Sequence, residues 1–88
     1  MGILAPAADE RVKKVFFTED SLCVDLMDGR TISVPLVWYP RLLNAPKKKL
    51  KNWKPCAAGF GIHWPDLDED LSIEGLLRGI PAPNASKA

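Results

Sequence analysis

The chain holds one histidine, one tyrosine and two cysteines in 88 residues, and no apolar run approaches the ~20 residues that a membrane span requires. Each scarcity removes a class of function. Cys23 and Cys56 lack the CxxC spacing of a redox or metal motif, and two such cysteines read as separate buried thiols. Neither Ser21, Ser33 nor Ser72 sits in a strained nucleophile elbow, and Cys56 has no histidine or asparagine at a recognisable partner spacing, so covalent catalysis is not expected. Gly59-Phe60-Gly61 runs on into Ile62-His63-Trp64-Pro65, which is not a phosphate-cradling loop. The opening residues are too short an apolar stretch for a signal peptide and meet acids at Asp9 and Glu10, while Pro6 occupies the position where a myristoylation motif needs Ser or Thr. A cytoplasmic location, without membrane contact, is therefore expected.

What remains is an ordinary globular composition, 47% apolar and 26% charged, in a chain that can bury only about 60% of its unfolded surface and has no room for a large enclosed active site. The net charge of +1 conceals a segregation. Residues 41–54 carry six cations and no acid, whereas residues 66–74 carry five acids and no cation.

Residues 12–18, 21–27 and 30–34 are rich in Val, Phe, Ile, Thr and Leu, and read as three strands joined by Glu19-Asp20 and by Asp28-Gly29. Asp28-Gly29 has the composition of a two-residue hairpin loop with positive φ at both positions. Leu22, Val24 and Leu26 share one face with Cys23, Asp25 and Met27 on the other, which predicts a meander with one face in the core and one half wet. Its cover should come from Leu36, Val37, Tyr39, Leu42 and Leu43, with short helices over 40–44 and 47–53 and a buried stripe of Leu50 and Trp53.

Residues 56–62 read as a fourth, edge strand, closed by a Trp64-Pro65 turn. Ser72 is placed as the N-cap of a last helix that ends at Gly79 or Pro81, with Asp68, Glu69 and Asp70 leading into its positive end. The fold class expected is thus α+β: a three-stranded antiparallel meander, with a candidate fourth strand, packed with two or three short helices. Residues 1–10 read as a flexible lead-in, 11–79 as one domain and 80–88 as a disordered tail.

His63 with Asp66, Asp68, Glu69 and Asp70 has the ligand types of a zinc or manganese site, but no second histidine or cysteine lies near, and a calcium loop fails at Leu71 and Leu77, where Gly and Glu belong. No metal or cofactor is expected. Arg41, Lys47, Lys48, Lys49, Lys51 and Lys54 form a basic face, interleaved with Trp53, that could meet phosphates or an acidic protein.

The segment Tyr39-Pro40-Arg41-Leu42-Leu43-Asn44-Ala45-Pro46 and, above all, Gly61-Ile62-His63-Trp64-Pro65-Asp66-Leu67-Asp68-Glu69-Asp70-Leu71 continuing through Glu74-Gly75-Leu76-Leu77 resembles a family of small bacterial proteins, domain of unknown function 2442. The resemblance covers about 12–79. It implies an α+β domain, no established activity, and a place beside a second small protein in toxin–antitoxin-like pairs. The expected function is a non-catalytic interaction or regulatory module of antitoxin-like kind, with a small protein partner contacted through His63, Asp66, Asp68, Glu69, Asp70 and Glu74. Trp64 is expected in the core. A nucleic-acid module using Arg41 and the lysines, a self-associating domain, and a small metal-assisted enzyme around His63 are the alternatives.

Overall fold

Leu22, Val24 and Leu26 alternate with Cys23 and Asp25, and that period of two puts three aliphatic side chains on one face of a strand. In the computed structural model, which describes residues 7–80, these side chains floor an antiparallel sheet with β2 (Ser21–Leu26) at its centre, β1 (Val12–Phe17) on one edge and β3 (Thr31–Pro35) on the other. Val15 and Phe17 of β1 stand opposite Val24 and Leu22, and Ile32 and Val34 of β3 stand opposite Val24 and Leu22 from the other side. The outer face is half wet, as expected. There Cys23 lies between Phe16 and Ser33, and the Thr31 hydroxyl donates to the Asp25 carboxylate at 2.7 Å.

The loop between β2 and β3 differs from the expected two-residue turn. Gly29 N–H donates to Leu26 O and Leu26 N–H to Arg30 O, so Met27, Asp28 and Gly29 form a three-residue loop in which only Gly29, at φ 98°, is left-handed. The reason is local. Asp28 accepts from the Arg30 guanidinium and from the backbone N–H groups of Asp9 and Arg30, and those bonds, the guanidinium's foremost, hold its carboxyl well below the usual carboxylate range. They also bring Asp9 against the hairpin, where Asp28 N–H in return donates to Asp9 O. Residues 1–6 of the expected lead-in and 81–88 of the expected tail lie outside the described residues.

After β3 the chain makes a 3-10 turn at Leu36–Trp38, then α1 (Pro40–Leu43) and α2 (Lys47–Leu50), each a single turn with proline at its entry. Leu36, Tyr39, Leu42 and Leu50 supply the cover, while Val37 and Leu43, expected in it, point outward. A four-residue helix has room for only one inward face. α2 also stops earlier than 53, because Lys51 and Asn52 close its last turn and Trp53 already belongs to the approach to the next strand.

The expected single edge strand over 56–62 is in fact a hairpin within a second sheet, β4 (Lys54–Cys56), β5 (Gly61–Trp64) and β6 (Glu69–Ser72), with β5 central. Its first turn runs through Ala57, Ala58 and Gly59, all left-handed at φ 51°, 57° and 95°. Gly59 suits that left-handed backbone, and a Cβ added there would also stand 3.1 Å from the Arg11 side chain, which would have to give way. Ile62 and Trp64 face the core from β5, and Trp64 meets Phe17 of β1 edge to face with ring centroids 6.3 Å apart. That contact joins the two sheets over one continuous core.

α3 (Ile73–Arg78) follows β6 directly and buries Ile73 and Leu76. The Ser72 hydroxyl accepts from Gly75 N–H at 2.9 Å, and Gly79 ends the helix in the left-handed conformation. Ser72→Ala is expected to lower stability by about 1 kcal/mol, read as a urea midpoint shift without a change in slope. Among the described residues no helix is long and apolar enough to cross a membrane.

Candidate interaction site

The turn 65–68 between β5 and β6 is acidic in sequence and works as a clamp in the structure. Asp66 accepts from the Asn52 side chain at 2.9 Å, which holds the chain leaving α2, and the Asp68 carbonyl accepts from the Arg41 guanidinium at 2.5 Å, which holds α1. Trp64 supplies the third tie. Its indole N–H donates to the Leu50 carbonyl at 3.1 Å, at the end of α2. Two single-turn helices that could not persist alone are thus fixed from the second sheet.

Between these helices and β1 runs an open groove of about 890 Å³. Val15, Phe16, Phe17 and Thr18 line it from β1 and the residue after it, Leu42, Leu43 and Ala45 from α1 and the link after it, and Leu50 and Trp53 from α2 and beyond, with the exposed Lys47, Lys51 and Glu19 at the rim. Val15, Phe16 and Phe17 are consecutive in β1 and point alternately to opposite faces, so what they share toward the groove is the unpaired edge of the strand, which Thr18 continues. Phe16 and Leu43 remain 37% and 43% exposed there. Among the described residues no ion pair engages Lys47 or Lys51.

The structure distributes the expected contact residues rather than gathering them. Asp68, Glu69 and Asp70 do not lead into α3; Asp68 is the left-handed last residue of the turn at φ 51°, and Glu69 and Asp70 belong to β6. Opposite faces of that strand separate these last two. Asp70 sits across from His63 on the outer face, with its carboxylate 2.6 Å from His63 Nδ1. Glu69 sits across from Trp64, and Glu74 pairs with Arg78 one turn on in α3, at 3.0 Å. Lys47, Lys48 and Lys49 belong to α2 and Lys51 follows it, but Lys54 lies on β4 opposite His63, and Arg41 is turned to Asp68. Among the described residues no three His, Cys, Asp or Glu side chains converge as metal ligands.

Burial raises the Glu69 carboxyl above its usual 4.5, with Arg41 pulling it down and Asp70 and Asp68 pushing it up. A carboxyl that is harder to ionise folded than unfolded costs stability as pH rises through 4.5 and beyond, and none below. Glu69→Gln is therefore expected to melt at a higher temperature than the parent at pH 7 and to lose that advantage by about pH 4. A difference equal at both pH values would contradict the placement. Cys56 is also pushed up, first by burial and then by Asp70, which keeps its thiol protonated and unreactive at neutral pH. That thiol covers Gly61, where an added Cβ would fall 2.8 Å from Sγ.

The groove escaped the sequence reading because its walls come from three separated stretches. Leu43 gave the available signal, as an apolar residue beyond what the single turn of α1 can bury.

A family described as Protein of unknown function (DUF2442) matches residues 12–82. The fold is similar to the crystal structure of a protein of unknown function from Rhodospirillum rubrum, with a TM-score of 0.73 and 32% identity over 89% of this chain and 96% of that one. It is similar also to the solution structure of an uncharacterized protein from Chromobacterium violaceum, with a TM-score of 0.70 over 82% of this chain and 68% of that one. At 22% identity, the second likeness speaks for the fold alone. No curated protein matches the chain.

Proposed function

The chain belongs to this family of unknown function, and from that premise we propose that it is a non-catalytic protein-interaction module whose working surface is the groove beside β1. One observation carries the reading: an apolar, open groove is flanked by two short helices that are held in place by bonds from Trp64, Asp66 and the Asp68 carbonyl. Apolar surface left exposed beside a strand edge is costly in a thin-cored domain unless something covers it. The acidic segment then acts through the scaffold, because Asp66, Asp70 and Glu74 each already hold a partner within the chain. In this reading the chain is the antitoxin-like, regulatory member of a pair, and a small second protein seats on the groove.

The test is purification of the wild-type chain and of Leu43→Asp from the native host at moderate salt, with mass spectrometry of what co-elutes. A stoichiometric small protein present with the first and absent with the second is expected. The same protein retained at equal stoichiometry by Leu43→Asp, with the fold intact by circular dichroism, would remove the groove from the account.

A further inference from the structure

Resting on the reading of the groove as the partner site, we infer that its occupant is an extended, acidic segment of the partner protein that adds as a fourth strand to the free edge of β1. The edge is guarded over only half its length. The register shift between Val12 and Lys14, with Lys13 and Lys14 exposed, interrupts the first half, as edge strands that must stay unpaired are commonly interrupted. Val15 to Phe17 carry no such interruption, and all three line the groove.

A strand laid on that edge would pair its backbone with β1 and turn alternate side chains toward Leu42, Leu43 and Trp53. Its charge is set by the rim. Lys47 and Lys51 line the groove, Lys48 and Lys49 are exposed beside them, and Glu19 is the single acid opposed to this cluster. A second copy of this chain is disfavoured by the same charges. Edge-to-edge pairing of two β1 strands about a twofold axis would put both α2 lysine clusters on one face of the joint sheet, close to its centre.

The experiment is selection of displayed random short peptides on the full chain, followed by fluorescence anisotropy of the enriched peptide. Enrichment of alternating apolar residues flanked by Asp or Glu is expected, with affinity weakened about tenfold by Lys47→Glu with Lys51→Glu. N-methylation of alternate backbone nitrogens in that peptide should abolish binding in one register and leave it unchanged in the other, a pattern that side-chain recognition alone would not give. A consensus at helical spacing that still requires Leu43 would overturn strand addition while keeping the groove as the partner site. A basic consensus, or a dimer in sedimentation that Phe16→Asp disperses, would overturn the acidic occupant. No enrichment would overturn the inference, and together with a partner that ignores Leu43→Asp it would overturn the groove itself.

Discussion

Trp64→Ala is expected to leave the chain largely unfolded at room temperature. The side chain is fully buried, and truncating a buried aromatic to alanine costs about 3–5 kcal/mol. Loss of the indole N–H also strips the Leu50 carbonyl of its partner, for about 1 kcal/mol more. A domain of this size has only about 5 kcal/mol to lose. Far-UV circular dichroism and a urea titration would read the result, and a cooperative transition at nearly the parent's midpoint would dismiss Trp64 as the joint between the sheets. Trp64→Phe separates the two contributions. It keeps an aromatic edge against Phe17 and removes the bond to α2, so about 1–2 kcal/mol should go while the fold stays. Affinity for the proposed partner should fall with it, since α2 loses a tie to β5.

Leu42→Ala is the second large effect, at about 3 kcal/mol, which in a domain of this length lowers the melting temperature by about 15 °C. Its neighbour provides the control. Leu42 is fully buried and Leu43 is 43% exposed, so Leu43→Ala should change stability by no more than about 0.5 kcal/mol. The two leucines differ only in which side of a one-turn helix they occupy. Equal costs at both would mean that Leu43 is packed and that the groove is not open at that wall.

The contrast between these leucines also marks how far residue patterns reach. The meander was legible because alternation at Leu22, Val24 and Leu26 and the turn residues around it point to one answer. Ser72 and Gly79 likewise announced both ends of α3. β6 was not legible, because Glu69 and Asp70 are poor strand formers and their pairing with Trp64 and His63 is imposed by the tertiary partner strand. The same holds for the hairpin across Ala57 and Ala58, where two alanines take left-handed backbone that their side chains disfavour.

Of the contact candidates, the types of the residues were readable and their directions were not. A run of acids says nothing about which carboxylate will hold an asparagine, which a histidine and which a helix-paired arginine. The short motif around Trp64 does read well in retrospect as a hub, since a large ring beside a proline met a core with few other large side chains.

The half-guarded edge of β1 bears on cellular dosage. A strand edge left bare beside apolar surface nucleates self-assembly as readily as it receives a partner, and the balance depends on which is more abundant. On the proposed reading, copies synthesised in excess of the partner would be drawn into aggregates or degraded, so the steady level of this chain would follow the supply of that partner.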